Sequence, residues 1–579
     1  MNTQRLLGVG LIVGLLGAPI VAIAANTAEP AAVQEVSQVA AMYAADFVGT
    51  AATGYSLNDA GDVVGKSYPD PGCGPFCLPP EEIVVWRDGN RIVLPLVPGF
   101  DRGYQYPLYI NNQGLIGGEA GLIGSTTHAA VWIPNGSGYS AQDLGVFPGT
   151  ASADVFGLDD QGRMVGWSTL GGAIPTVTVP FMWSRATGMV NLAAQGYPNE
   201  RPAAMSLGGK VVTWGSWYQL GDPASAVPLP ALPRGFVGAG SNGSAINDAG
   251  DQAHFLVSTS TQNQVYPFRL SNGGTWQQLS TFGTGHLSRF GMGSINPAQD
   301  VTFTVGSTGM IAAGPAGLGQ ALTPLLSPAY AGATVGDGGP MNASGQILTH
   351  VMIGRSQRLM KLTPITSCGA DCLVSSSLVM TGQFVQDPAF PGSCFQGGKM
   401  YNLTSVTVTI TSETGTPLGN VQVSGRFLDD YWTNQPVTGT TNASGKASWT
   451  YKGPCGVGAV AFLVDNASLA ARNFDRTRGT LANSVIPNTT PPPPNQAPVP
   501  VPVVTCVAGR SCTLDATASF DPDGTIVAYR WATTNGTTLS TQPVFTQTFA
   551  KSGKSSAVLY VTDNGGLTAS KKVTFTVLR

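Results

Sequence analysis

The chain has 579 residues, of which 42% are hydrophobic and 11% charged, and its formal net charge at pH 7 is −3. This length exceeds what one hydrophobic core supports and predicts two to four domains. The 75 Gly and 42 Pro residues favour frequent turns over long amphipathic helices, so we expect an all-β protein. Lys and Arg are scattered along the chain, which argues against nucleic acid as a partner.

The first 24 residues have the pattern of a secretory signal peptide. Arg5 supplies the basic start, residues 6–23 are apolar, and Ala22-Ile23-Ala24 forms a small-residue cleavage site. Four glycines and Pro19 weaken a membrane-spanning helix, although a retained anchor is the alternative. We therefore expect cleavage after Ala24, no membrane insertion of the mature chain, and a secreted, extracellular or cell-surface location.

A short hairpin pattern, "FGLDDQGRMVGWS" at residues 156–168, recurs seven times at intervals of 41 to 53 residues. Each copy has Asn, Asp or Ser at the first turn position, where the side chain can accept a backbone N–H two residues on. Six copies have Gly at the fourth position, which takes a positive φ without a Cβ clash, and the sixth copy has Gln299. The first turn positions are Asn58, Asn111, Asp159, Ser206, Asn247, Asn296 and Asn342.

A second hairpin follows in several copies, as in residues 180–192 and 84–94. Two hairpins make a four-stranded unit of the size of one propeller blade. Stacking the units around an axis would bury their faces and shorten their edges. We therefore predict a seven-bladed β-propeller over residues 46–363, with a segment of residues 31–50 supplying the fourth strand of the last unit.

The repeats carry a family resemblance. The pattern begins with an apolar residue, Asn-Asp-x-Gly, an apolar pair and Gly, and continues with segments such as 127–132, 180–183 and 143–145. This pattern resembles the HAF repeats of exported bacterial proteins. The resemblance is strong in repeats one, two, three and five, and implies export and repetition without a defined reaction. Repeats four, six and seven depart from the pattern.

Residues 364–487 change to a Thr-, Ser- and Val-rich composition in which apolar residues alternate, as in 405–427. This alternation predicts half-buried antiparallel strands and an immunoglobulin-like β-sandwich. The region resembles the Ig-like modules appended to secreted bacterial hydrolases and adhesins. Residues 488–499 form a Pro-rich linker that cannot pair in the centre of a sheet.

The last region, residues 500–579, resembles a PKD domain, a second Ig-like sandwich. The matching stretches are 514–531 and 558–577, although Trp531 leads into 532–537 instead of the acidic turn of that family. Asp521 and Asp523 alternate as carboxylates do in calcium loops, but a complete site needs six or more oxygens. A turn capped by Asp is the simpler interpretation, so we expect no cofactor and leave only calcium open.

The eight cysteines of an exported chain favour disulfides over metal sites. Their spacing predicts four pairs: Cys73 with Cys77, Cys368 with Cys372, Cys394 with Cys455, and Cys506 with Cys512. The four histidines lie at different offsets from their turn anchors, which argues against a shared metal site. We find no Walker loop, no G-x-S-x-G and no H-E-x-x-H.

A glycosidase requires two carboxylates that face each other across a cleft. Acidic pairs such as Asp159-Asp160 are neighbours in the chain, and we expect them to form turns instead. Exposed aromatic residues are better candidates for recognition, because their faces bind sugar rings or peptide side chains. Packing between blades is the alternative for each. The candidates are Trp214, Trp217, Tyr218, Tyr104 and Tyr106.

We therefore favour a secreted, monomeric, non-catalytic binding or adhesion protein that recognises an extracellular glycan or protein. An extracellular glycoside hydrolase or lyase with accessory binding domains is the first alternative. A structural surface protein is the second. Fold analogy alone names no ligand.

Overall fold

The computed structural model describes residues 41–50, 52–68, 81–100, 104–122, 126–170, 178–238, 244–260, 264–281, 293–386, 400–430, 433–454, 457–487, 496–564 and 566–579. In these ranges the regular structure is β-strand apart from three short 3-10 helices, Ala193–Gln195, Thr323–Leu325 and Pro328–Tyr330. No helix of these ranges is long and apolar enough to cross a membrane. The predicted all-β class is confirmed.

The repeat region contains the first 29 strands. They are β1 (Met42–Thr50), β2 (Ala52–Leu57), β3 (Val63–Ser67), β4 (Glu82–Arg87), β5 (Asn90–Val93), β6 (Tyr104–Ile110), β7 (Ile116–Gly121), β8 (Thr127–Asn135), β9 (Gly138–Gly145), β10 (Ser152–Leu158), β11 (Met164–Thr169), β12 (Thr178–Ser184), β13 (Gly188–Asn191), β14 (Pro202–Met205), β15 (Lys210–Thr213), β16 (Ser216–Gln219), β17 (Asp222–Pro228), β18 (Phe236–Gly238), β19 (Ala245–Ile246), β20 (Gln252–Ser258), β21 (Val265–Leu270), β22 (Trp276–Gln278), β23 (Ser294–Ile295), β24 (Val301–Val305), β25 (Thr308–Ala312), β26 (Gly319–Ala321), β27 (Thr334–Val335), β28 (Ile347–Ile353) and β29 (Ser356–Ile365).

These strands form separate antiparallel sheets, one for each repeat. Six sheets have strand orders β2-β3-β4-β5, β6-β7-β8-β9, β10-β11-β12-β13, β14-β15-β16-β17, β18-β20-β21-β22 with β19 also on β20, and β23-β24-β25-β26. The sheet of the last repeat has the order β1-β29-β28-β27 and takes its fourth strand from the start of the region. The prediction that a segment of residues 31–50 supplies this strand is confirmed.

Each predicted tight turn joins the first and second strands of its repeat. In every copy the fourth turn residue donates its N–H to the carbonyl of the first, as Gly61 does to Asn58 at 2.9 Å. The fourth residue always has a positive φ, including Gln299 at 65°. Because a side chain is strained in this region, the non-glycine copy keeps the turn at a local energetic cost.

Hydrogen bonds connect each turn to the turn of the next repeat and the last turn to the first, an arrangement we call the turn circuit. The links run from Asn58 Nδ2 to Asn111 O, Asn111 Nδ2 to Asp159 O, Asp160 N to Leu207 O, Gly208 N to Asp248 Oδ1, Asn247 Nδ2 to Asn296 O, Asn296 Nδ2 to Met341 Sδ, and Asn342 Nδ2 to Asn58 O. Since most of these amides are buried, each link satisfies polar groups that would otherwise be costly.

The following region contains β30 (Cys372–Gln386), β31 (Met400–Ser412), β32 (Gln422–Asp429), β33 (Asn434–Thr440), β34 (Lys446–Pro454), β35 (Val460–Ser468), β36 (Asn473–Phe474) and β37 (Ala482–Val485). They form two four-stranded sheets with orders β34-β31-β30-β36 and β33-β32-β35-β37. The side chains of both sheets share one hydrophobic cluster with Ile347 and Met360 of the last repeat. The apolar core is therefore continuous across the boundary between these regions.

Polar contacts reinforce this boundary at the strand that completes the last repeat. Arg476 Nη1 lies 2.6 Å from Asp46 Oδ1 on β1, and its Nη2 donates to the Tyr330 hydroxyl at 2.7 Å. Arg358 on β29 is almost fully buried and donates to the Asp429 carbonyl. Buried cations require such partners, so these two arginines hold the repeat region and the following region together in one defined arrangement.

The last region contains β38 (Val503–Val507), β39 (Ser511–Asp515), β40 (Ile526–Ala532), β41 (Thr538–Ser540), β42 (Val544–Thr548), β43 (Gly553–Asp563) and β44 (Thr568–Val577). One sheet has the order β38-β39-β42 and the other the order β41-β40-β43-β44. Trp531, Leu514 and Leu559 lie fully buried in their common core. On β43 every second side chain from Ala557 to Asp563 is buried, as strand alternation requires.

We predict that Asn111→Ala destabilises the protein by about 1 to 3 kcal/mol, the cost of leaving buried polar groups unsatisfied. The side chain of Asn111 donates to Asp159 O at 2.9 Å and accepts the Leu115 N–H at 2.9 Å. Denaturant unfolding followed by tryptophan fluorescence measures the loss. Asn90→Ala is the control, because the exposed Asn90 amide reaches only Asp88 O of its own turn. An equal loss in both variants would contradict the role of the turn circuit.

Candidate ligand-binding site

Residues from all seven repeats line one cavity of about 230 Å³, which we call the seven-turn cavity. The turn circuit explains its composition, since the circuit brings the end of the first strand of every repeat to the same place. Apolar side chains of the strand ends and polar residues of the turns alternate around it. The strand-end members are Leu57, Ile110, Leu158, Met205, Ile246 and Ile295, and Met341 holds the equivalent position directly before the last turn.

Four polar side chains occupy the second turn positions around the cavity. Asn112 Nδ2 donates to Asp59 Oδ2 and to Asp160 Oδ2, both at 2.9 Å. Asp248 Oδ1 accepts the Gly208 N–H at 2.7 Å. Hydrogen bonding to backbone and neighbouring turns thus holds these side chains in fixed orientations around the cavity.

The lining is rich in acceptors and carries negative charge. Three of the lining side chains are carboxylates, and none of the residues that line the cavity is Lys, Arg or His. Carboxylate oxygens in fixed orientations accept hydrogen bonds from hydroxyl groups, and the apolar strand ends offer a surface for carbon atoms. The volume is below the 300–1,000 Å³ of drug-sized sites, so it suits a small group or the end of a chain.

Two of the predicted aromatic candidates lie away from this cavity, Trp214 in the turn between β15 and β16 and Trp217 on β16. Trp214 is 59% exposed, and Lys210 Nζ lies 4.6 Å from the ring centre of the half-buried Trp217. Tyr218 was expected at the surface, but it is fully buried and its ring packs 4.9 Å from Tyr197. Strand alternation places Tyr218 inward, so its assignment as a recognition residue is wrong.

Tyr104 and Tyr106 lie together on β6, in a different sheet. Their ring centres are 5.5 Å apart, and the Tyr104 hydroxyl lies 2.7 Å from Thr127 Oγ1. Lys66 Nζ lies 3.6 Å from the ring centre of Tyr106 and pairs with Glu81 at 2.7 Å. A sugar would stack on a face of the Tyr106 ring, and the Lys66 ammonium group already covers one of its two faces.

The calcium candidates lie between β39 and β40 of the C-terminal region. Asp523 Oδ2 accepts the Gln496 N–H at 2.9 Å from a segment 27 residues away, whereas Asp521 accepts the Asp523 N–H within the turn, the role expected as the alternative. Desolvation and the neighbouring charge of Asp523 raise the pKa of Asp521. Within the described ranges, no three His, Cys, Asp or Glu residues are grouped so that they could hold a metal ion.

Two of the predicted cysteine pairs are disulfide-bonded. Cys368 is joined to Cys372, and Cys506 to Cys512 across the hairpin of β38 and β39. The other predicted partners, Cys73, Cys77, Cys394 and Cys455, lie outside the described residues, as does the predicted signal peptide. Short local bridges of this kind are typical of exported proteins.

One acidic group was missed by the sequence reasoning. Glu119 on β7 accepts the Val155 N–H at 2.8 Å, and the nearby Asp154 pairs with Arg201 at 3.7 Å. Burial raises the pKa of Glu119 to about 7; Asp154 adds to this effect, whereas the Val155 N–H and Arg201 oppose it. A carboxyl that titrates near neutral pH is a candidate proton donor.

A second titrating pair joins the last repeat to the first. His350 Nδ1 lies 2.6 Å from Asp337 Oδ2, and Nε2 lies 3.0 Å from Ala52 O. Burial lowers the pKa of His350, but the hydrogen bond and charge of Asp337 outweigh it and raise the pKa above its usual value. Both ring nitrogens face acceptors, so the doubly protonated ring fits this position best.

The comparisons with known proteins place a family at the C-terminal end only. Residues 495–577 match the PKD domain family, which confirms the predicted PKD domain. The PKD1 domain of Vibrio anguillarum Epp is 31% identical, with 14% of this chain and 96% of that chain covered and a TM-score of 0.14. The PKD1 domain of the Vibrio cholerae metalloprotease PrtV is 37% identical, with 14% and 100% covered and a TM-score of 0.13.

A third similar structure spans more of the chain. It is the extracellular domain of a B. thetaiotaomicron protein assigned to the hybrid two-component systems, 10% identical, with 76% of this chain and 56% of that chain covered and a TM-score of 0.33. The comparison with curated proteins found no match. The HAF-repeat resemblance of residues 46–363 stays a prediction.

We predict that Glu119→Gln removes a loss of stability that the native protein suffers as the pH rises through about 7. A carboxyl with a raised pKa folds preferentially in its protonated form, so its contribution is retained at low pH and lost above that pKa. At pH 8 the variant should be more stable by on the order of 2 kcal/mol, and at pH 4, below the ordinary glutamate pKa of 4.5, its stability should be unchanged. Denaturation at both pH values measures this. Asp88→Asn, in an exposed turn, is the control and should show no such difference.

We predict that His350→Gln abolishes a separate decrease in stability at alkaline pH. Because the pKa of His350 is raised, the ion pair stabilises the fold fully below the usual histidine pKa and is lost as the pH rises through the raised value. The melting temperature of the native protein should fall by about 2 °C more than that of the variant between pH 6 and pH 9. A parallel decrease in both proteins would show that this pair does not join the repeats.

Proposed function

We propose that this chain is an exported bacterial protein that binds the hydroxyl-rich end of an extracellular glycan in the seven-turn cavity, without catalysis. The observation that carries the proposal is that every repeat contributes to one cavity whose turns present acceptors. Location outside the cell, at the surface or secreted, is supported by the PKD domain, by two disulfides and by the signal-like residues 1–24.

In this proposal residues 46–363 form a seven-bladed β-propeller of HAF-like repeats. The separate sheets of the repeats and the turn circuit that returns from Asn342 to Asn58 support this arrangement. The pairing of β1 with β29 supports closure by the two ends of the region. An Ig-like sandwich over residues 364–487, a Pro-rich linker over 488–499 and the PKD module complete the proposed organisation.

A glycan suits the cavity better than an apolar ligand or a protein loop. The fixed oxygens of Asp59, Asp160 and Asp248 can each accept a sugar hydroxyl, while the strand ends contact the ring carbons. The volume of about 230 Å³ admits one end of a chain and excludes a folded partner. The three carboxylates would also attract a cationic amino sugar.

A second candidate function is cleavage of an extracellular polymer by a glycoside hydrolase or a lyase. The observation that favours it is the raised pKa of Glu119, which lies beside Asp154. A glycosidase requires two carboxyl groups that flank the bond to be cleaved. Glu119 does not belong to the lining of the seven-turn cavity, so we prefer binding.

The proposal is tested on a glycan array with the purified chain. Ala343→Trp should fill the cavity from its rim and reduce binding at least tenfold, because the exposed Ala343 lines it. Ala249→Trp is the matched control: it is the same change at an exposed turn position outside the lining. Asp248→Asn keeps the shape and removes a charge, so it separates a neutral glycan from an amino sugar.

A hydrolysis assay on the same glycans separates the two candidates. Binding without turnover that Ala343→Trp reduces and Ala249→Trp does not would support the non-catalytic binding protein. Turnover that Glu119→Gln abolishes while the variant stays folded would support the enzyme. Binding that survives Ala343→Trp would exclude the seven-turn cavity as the site.

A further inference from the structure

The PKD module presents an exposed sheet face that carries cations and hydroxyls. On β43 and β44 the side chains alternate, so that Leu559 and Val561 point into the core while their neighbours point outward. Register pairs Tyr560 with Ser570 and Val558 with Lys572 on the outer side. The outward residues of the three long strands are Ala528, Arg530, Lys554, Ser556, Val558, Tyr560, Thr562, Thr568, Ser570, Lys572, Thr574 and Thr576.

The charge of this face differs in sign from that of the whole chain. Residues 495–579 contain seven Lys and Arg against four Asp and no Glu, a net charge of +3, whereas the full chain has −3. Three of these cations, Arg530, Lys554 and Lys572, are outward residues of the face, and no outward residue of β40, β43 or β44 is acidic. Such a concentration of one sign attracts an anionic partner.

The shape of the face is suited to an extended chain. The Arg530 guanidinium carbon lies 3.8 Å from the Tyr560 ring centre, so these two side chains pack against each other on the face. Lys554 pairs with Thr576, four residues along β44 from Lys572, which places these two cations roughly 13 Å apart along the strands. Ser and Thr hydroxyls fill the positions between the cations.

We propose that this face binds an acidic polysaccharide, a chain of sugars that carry carboxylate groups. Widely spaced cations match a polymer that carries carboxylates along its length, and the intervening Ser and Thr hydroxyls match sugar hydroxyls. Duplex DNA fits less well, because it carries a charge about every 1.7 Å and would meet only three cations here. The inference rests on the proposed extracellular role of the protein and not on the seven-turn cavity.

The test measures retardation of the full chain by polygalacturonate in affinity electrophoresis at physiological ionic strength. The native chain should be retarded by polygalacturonate and not by its fully methyl-esterified, neutral form. The triple variant Arg530→Gln, Lys554→Gln, Lys572→Gln should bind at least tenfold more weakly. The matched control, Lys551→Gln, Lys571→Gln, Arg579→Gln, removes the same charge from other exposed positions of the module and should bind normally.

Equal weakening in both triple variants, equal binding of the neutral polymer, or tighter binding of duplex DNA would each overturn the proposal. Melting temperatures of both variants control for folding, and Arg530→Lys should restore part of the binding if charge at this position is what matters. Failure here leaves Ala343→Trp-sensitive glycan binding unaffected. The two proposals therefore fail independently.

Discussion

The repeat region depends on the hydrogen bonds that pass from the turn of one repeat to the turn of the next. Each repeat is a small sheet with an apolar face that it cannot bury alone, so its stability comes from its neighbours. The turn circuit supplies the directional part of that contact, since buried amides such as Asn111 must find acceptors and find them in the adjacent repeat. The last link, from Asn342 to Asn58, joins residues that are 284 positions apart. Closing so long a loop costs conformational entropy. The pairing of β1 with β29, which also joins the two ends of the region, offsets part of that cost.

The region that follows the repeats holds this closing strand from outside. Arg476 contacts Asp46 on β1, and the hydrophobic cluster that contains Met360 of β29 extends to Phe462. Loss of this region would expose apolar residues of the last repeat and leave the buried Arg358 without its acceptor on Asp429. The first two regions therefore form one structural unit, whereas the PKD module has a core of its own around Trp531. The proposed site on the PKD face and the proposed site in the seven-turn cavity therefore belong to regions with separate cores.

Local signals made the strands and turns predictable. The Asn-x-x-Gly spacing located the turns even at Gln299, because the remaining residues of that copy keep the pattern. The sites were less predictable, since Tyr218 and Trp217 are neighbours on one strand and only strand parity decides which is buried. Glu119 was missed because its environment is built by Asp154 and Arg201 from other repeats. A comparison at a fixed offset could have found it: the position eight residues after the first turn residue holds Lys66, Glu119, Trp167, Trp214, Phe255, Thr304 and His350.

The choice of acceptor in the turn circuit has a consequence for how such a chain can evolve. Asn58, Asn111 and Asn247 donate to main-chain carbonyls, which every amino acid possesses. These three links therefore do not depend on which side chain the acceptor residue carries, whereas the links to Asp248 Oδ1 and Met341 Sδ do. Repeats joined through main-chain acceptors can diverge at the second turn position and keep the joint, and the second turn positions are the ones that line the seven-turn cavity.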